Sequence, residues 1–185
     1  MQVCRRDEIY DMAPLVFGIG LPRTGTRSLT KAMELLGFRS KHYFSMAEWH
    51  TMVMRKEPQI DFACDLPAPL FIDELAAAFP EARFIYTTRA AETWAPSMRW
   101  LLHRNGWRGT SDWPLYRSRL FGDKDQLSHL VHVRENHLAR VKNILPARDV
   151  LMMDIEAGDG WELLCDWLGL PIPPAPFPFE GRRDA

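Results

Sequence analysis

Cysteine is scarce in this chain: Cys4, Cys64 and Cys165 are the only three in 185 residues. They are odd in number, scattered and without metal-ligand spacing, which argues against a disulfide framework or a cysteine-based zinc site. An intracellular, reducing compartment, the cytoplasm, is the expected location. No apolar run approaches the roughly 18 residues of a membrane span. The first residues, MQVCRRDEIYDM, lack the apolar stretch of a secretory signal. Charge of one sign is lacking too: 23 basic against 24 acidic residues leave a net charge of −1. That removes the electrostatic basis for broad nucleic-acid or membrane-surface binding, though not for a local basic pocket. Repeats and low-complexity tracts are absent. The one shift in composition is the tail PIPPAPFPFEGRRDA, whose prolines predict an extended segment.

What is present is apolar material, 46% of the residues, enough for the core of one α/β domain over 1–185, with an N-terminal arm at 1–12 and the proline-rich tail at 171–185. Leu15 to Ile19 reads as a short buried strand. A loop, Gly20 to Gly25, leads to a helix from Thr26, stopped by Gly37. A polar strip holding His42 and Tyr43 precedes a helix from Met46 to Lys56. Asp61–Asp65 reads as a strand, Leu70–Phe79 as a helix and Arg83–Thr88 as the clearest strand. Further helices are expected over Ala91–His103, Asp125–Leu145 and Gly160–Leu168, with a loop at Asn105–Pro114 and a strand at Asp149–Met153. Strands alternating with helices imply a largely parallel central sheet flanked by helices, a three-layer P-loop-type fold. Ligands bind such sheets beyond the carboxyl ends of the strands. GLPRTG, CDLP and TTRAAETW lie at such ends.

A glycine-bearing loop between a buried strand and a helix gathers backbone N–H groups and the positive end of the helix dipole, which suits an anion. The loop here runs from Gly20 to Ser28. Set against the triphosphatase pattern GxxxxGK[ST], both glycines fit, but Thr26 stands at the lysine position and Arg27 where a magnesium-holding hydroxyl would be. The nearest suitable cation is Arg23, inside the loop. This argues against metal-bridged ATP chemistry and suits a group with less charge to neutralise, held by a basic residue and backbone donors without metal.

Three segments carry a resemblance. VFGIGLPRTGTRSL resembles the 5′-phosphosulfate loop of sulfotransferases that use 3′-phosphoadenylyl sulfate (PAPS), in a branch with a PRTGT loop. TTRAAETWAPSM resembles their 3′-phosphate segment, with Arg89 and Ser97 at the family's spacing of eight. VLMMDIEAGDGWELLCDWLGLPIPPAPFP resembles the same branch's C-terminal segment. The resemblance implies that Arg23, Thr24, Gly25, Thr26, Arg27 and Ser28 surround the 5′-phosphosulfate end of PAPS. It implies that Arg89 and Ser97 hold the 3′-phosphate, and that 3′,5′-ADP is released. The sequence departs from the family at RAA after the strand, where RDP is usual. Ser28 stands where cytosolic members carry an adenine-stacking tryptophan, and the tail reads FPFEGRRD.

Sulfuryl transfer needs a group to take the acceptor's proton. By resemblance CDLP is the counterpart of a segment carrying the base, which nominates Asp65, its pKa raised by burial. His42 is the rival, since an imidazole titrates near neutrality; the two could also act together. Trp107, Trp113 and Tyr116 among Arg104, Arg108, Arg117 and Arg119 suggest an acceptor pocket, a lid or a dimer contact. Trp161 and Trp167 are expected in the core, and Asp73 and Glu74 on a solvated helix face. His129, His132 and His137 lack the spacing of a helical metal pair. The expected activity is metal-independent sulfuryl transfer from PAPS to a hydroxyl or amine of a small-molecule or glycan acceptor, by a possible homodimer. A nucleotide sensor on the same fold and a small kinase are the alternatives.

Overall fold

The computed structural model describes residues 15–56, 59–104, 112–122, 124–145 and 150–180. The N-terminal arm with Cys4, most of the 105–114 loop with Trp107 and Arg108, Asp149 and the last five residues of the tail lie outside them. Strands β1 (Val16–Gly18), β2 (Ser40–His42), β3 (Phe62–Cys64), β4 (Arg83–Thr87) and β5 (Val150–Met153) form one parallel sheet in the order β2-β3-β1-β4-β5. Parallel neighbours need crossovers. These are provided by α1 (Thr26–Leu35), α2 (Met46–Arg55), α3 (Ile72–Ala78), α4 (Ala91–His103), α5 (Trp113–Phe121) and α6 (Leu127–Ile144), and α7 (Trp161–Leu168) follows β5.

Successive strand residues point to opposite faces, and both faces are covered. Val16, Phe62, Cys64 and Ile85 pack against Leu29 and Met33 of α1 and Trp161 and Leu164 of α7. Phe17, Ala63, Phe84 and Tyr86 pack against Trp49 of α2, Ile72 and Leu75 of α3 and Val141 of α6. Three layers result, as expected, and burial on both sides explains why β1, β3 and the middle of β4 read as unbroken apolar runs.

Two elements differ from the sequence reading. The polar strip is an edge strand, β2, whose Ser40 and His42 pair with Phe62 and Cys64; at an edge, tertiary pairing overrides weak strand propensity. The end of the expected 105–114 loop is already helical: α5 starts at Trp113 and carries Pro114 in its first turn, a position that suits helix initiation.

Helix α6 stitches the carboxyl edge of the sheet together. Arg134 donates from Nε to the Arg89 carbonyl at 3.0 Å and from Nη2 to Thr88 Oγ1 at 3.1 Å. His137 donates from Nε2 to the Ile19 carbonyl at 2.8 Å. Arg140 donates to the carbonyls of Pro69 and Leu70 and pairs with Asp73 at 2.6 Å. Spaced by three, these side chains share one helix face and satisfy carbonyls beyond β4, β1 and β3 that the ladder leaves unpaired.

Candidate active site

The site is built where the chain reverses around the sheet, at the carboxyl ends of β1 and β4. The loop after β1 presses against β4: a Cβ on Gly20 would lie 2.0 Å from Thr87 Oγ1 and 2.5 Å from the Thr87 carbonyl oxygen. Thr24 is buried. Its hydroxyl donates to the Leu21 carbonyl at 2.6 Å and accepts from Thr87 Oγ1 at 2.7 Å. Its side chain therefore braces the loop. Gly25 takes the left-handed conformation (φ 93°) at the start of α1, and among the described residues no side chain caps that helix. A helix start of this kind suits an anion, which its first-turn amides can receive. Arg23 (φ 70°) and Asp65 (φ 67°) are left-handed without being glycine. Such strain concentrates at functional sites.

A cavity of about 250 Å³ brings together Arg23, Gly25, Thr26, Arg27, Ser28, His42, Asp65 and Arg89, with Trp100, Arg104, Glu156 and Phe179 on its walls. Arg23 donates from Nε to Ser97 Oγ at 3.0 Å, and its guanidinium lies 5.8 Å from the centroid of the Trp100 ring. Arg104 approaches the same ring at 5.2 Å. Ser97 is thus taken up by Arg23. Arg89 donates from Nε to Thr93 Oγ1 at 3.0 Å and pairs with Glu156 at 2.7 Å. The Ser28 hydroxyl accepts the Glu180 amide at 2.8 Å, which ties the tail to α1.

At the head of α1, Nε2 of His42 lies 3.0 Å from Asp65 Oδ2 and 3.2 Å from Thr26 Oγ1. Thr26 donates to the same Asp65 oxygen at 3.2 Å, and the Leu66 amide donates to Oδ1 at 2.8 Å. Burial pushes the Asp65 carboxyl up, but the charge and hydrogen bond of His42, with those from Leu66 and Thr26, carry it below the usual carboxylate range. This reverses the expectation that burial raises it. An anionic carboxylate only accepts, so Nε2 carries a proton, and whenever the ring is neutral its lone pair lies on Nδ1.

The aromatic and arginine cluster does not form one pocket among the described residues. Tyr116 is fully buried, its hydroxyl donating to the Phe44 carbonyl at 3.0 Å. Trp113 lines a separate groove with Pro114, Arg117 and Ser118. Trp161 is buried, donating from Nε1 to the Ala175 carbonyl at 2.7 Å and meeting Phe177 edge-on; it is the anchor of the tail. Trp167 is only half-buried, under the Arg83 guanidinium at 3.6 Å. Glu156, Arg134 and Phe179 were not foreseen as site residues. Glu156 follows β5 in DIEAGDG, a strand's carboxyl end, and that position is a signal that reaches it.

A parallel sheet bearing a glycine loop, a helix start and converging arginines at its switch point defines an α/β protein with a basic-lined cavity there. A family profile for the sulfotransferase domain matches residues 15–185, and the chain belongs to that family. It is also similar to Ava biosynthesis cluster protein M of Aspergillus versicolor, 29% identical over 208 residues that cover 88% of this chain and 79% of that protein.

Proposed function

We propose that this sulfotransferase uses PAPS as donor and transfers its sulfuryl group to an acceptor hydroxyl without a metal. The observation that supports the reading best is the meeting, in one cavity, of Arg23 and the uncapped start of α1, of Arg89, and of the His42–Asp65 pair. Arg23 and the first-turn amides of α1 are suited to stabilise charge at the 5′-phosphosulfate. Arg89, held along its Nε edge by Thr93, is suited to grip the 3′-phosphate as a planar fork. Arg27 stands where a magnesium-holding hydroxyl would be needed.

His42 is the proton acceptor in this scheme, acting through Nδ1, and Asp65 holds the ring and offsets its charge once protonated. The acceptor oxygen bonds to sulfur as the bond between sulfur and the 5′-phosphate oxygen breaks. The hydroxyl proton passes to Nδ1, and 3′,5′-ADP departs.

Calorimetric titration with 3′,5′-ADP, against 5′-ADP and ATP with and without Mg²⁺, tests the donor assignment. Binding of 3′,5′-ADP in preference to the others, independent of metal and weakened by Arg89→Ala, is the expected result. Preference for ATP with Mg²⁺ would overturn it. A nucleotide sensor is the second reading, favoured by the ion pair that Arg89 already makes with Glu156; it requires binding of 3′,5′-ADP with no transfer from PAPS.

A further inference from the structure

We infer that the acceptor binds in a second, open cavity on the other side of His42, and that it is a neutral, polyhydroxylated molecule of the sugar or polyol class. The inference rests on the sulfotransferase reading above. This cavity, of about 430 Å³, is lined by Arg27, Thr30, Lys31, Glu34, His42 and Glu180. It shares Arg27, His42 and Glu180 with the loop cavity. His42 is therefore a wall common to both, a position from which a base can take the proton of an acceptor that attacks a group held in the loop cavity.

The orientation of the ring supports the same side. Among the described residues both polar contacts of the His42 ring are made by Nε2, to Asp65 and Thr26, and those two residues line the loop cavity and not the second one. The two nitrogens of an imidazole lie on different edges of the ring, so Nδ1 faces away from Asp65 and Thr26. The lone pair that must receive a proton is thus on the side away from the loop cavity's buried carboxylate.

The lining states the class of acceptor. Among the described residues two cations, Arg27 and Lys31, stand with two carboxylates, Glu34 and Glu180, so that their formal charges cancel. An anionic acceptor would gain from the first pair and be repelled by the second. Lys31 Nζ and Glu34 Oε2 lie 2.9 Å apart on the exposed face of α1. They offer an adjacent donor and acceptor, a match for neighbouring hydroxyls that both donate and accept. Among the described residues no aromatic ring lines this cavity, whereas Trp100 and Phe179 line the other. A phenol would find no face to stack on.

The test measures 3′,5′-ADP release from PAPS by the full chain with glucose, sucrose, myo-inositol and glycerol, against 2-naphthol and tyramine. It repeats the measurement in Lys31→Ala and Glu34→Gln, with 3′,5′-ADP titrated into every variant. The expected result is sulfation of at least one polyol ahead of both phenols. Each variant should then raise KM for that polyol about tenfold, the worth of one hydrogen bond, with 3′,5′-ADP affinity unchanged. Preference for a phenol, sulfation of no polyol, or an unchanged KM in both variants would overturn the inference. Failure of the unaltered protein to bind 3′,5′-ADP would instead strike the donor assignment, and the same titration reveals it.

Discussion

Glu156 already occupies the arginine assigned to the donor: its Oε1 lies 2.7 Å from Arg89 Nη1, on the wall of the cavity that both residues line. A 3′-phosphate reaching Arg89 has to displace that carboxylate. Glu156→Gln should therefore tighten 3′,5′-ADP about threefold to fivefold, the scale of a partly exposed ion pair. Affinity for 5′-AMP, which lacks the competing phosphate, should not change. Calorimetry on both nucleotides checks this; equal tightening of the two would mean that Glu156 acts on the cavity's overall charge and not on the 3′ position.

His42 and Asp65 divide the proton-transfer work unequally, because the carboxylate is held in its charged form by the imidazole, Leu66 and Thr26. His42→Ala should lower kcat about 10²–10⁴-fold, the usual reach of a general base, with 3′,5′-ADP affinity retained. Asp65→Asn should cost about 10²-fold in kcat by releasing the ring's tautomer. Substantial turnover in His42→Ala combined with none in Asp65→Asn would make the carboxylate the base.

His137 links pH to stability. Burial lowers its pKa from 6.5 to about 4, against the hydrogen bond to Ile19 that raises it. A depressed folded-state pKa on a base means that the unfolded chain binds the proton first as pH falls. Stability is fully present above about 6.5 and declines between 6.5 and 4, by roughly 3 kcal/mol for this one group. Denaturant melts from pH 7 to pH 4 should show a steeper loss in the unaltered protein than in His137→Gln, which keeps a donor but cannot titrate.

Gly20→Ala should disrupt the loop outright. The added carbon would stand 2.0 Å from Thr87 Oγ1 and 2.5 Å from a backbone oxygen, and backbone cannot swing aside. A loss of about 3 kcal/mol is expected from overpacking, together with loss of 3′,5′-ADP binding. Thermal melting and the same titration check both; a stable variant that binds nucleotide would show that β4 yields at Thr87.

The architecture was legible because it is written in local chemistry. Burial on both faces makes VFG and FIY apolar without alternation, and the helix over Ala91–His103 is found where its pattern lies. Strand β2 was not legible, because Ser40, Lys41 and His42 have no strand signature of their own and are strands only by pairing with β3. The functions of Arg134 and Arg140 were equally hidden, since the carbonyls they satisfy belong to loops 45 to 71 residues away in the chain.

By itself the sequence determined the α/β alternation, the glycine loop without a metal-holding hydroxyl, and the set of residues available to hold an anion, because these depend on neighbours along the chain. Only the tertiary structure decided which of those residues meet. Arg23 takes Ser97, Arg89 takes Glu156, and Asp65 loses its basicity to His42. Partnership and protonation are set by charges and hydrogen bonds within a few ångströms, and that proximity comes from crossovers that bring distant strand ends to one edge of the sheet.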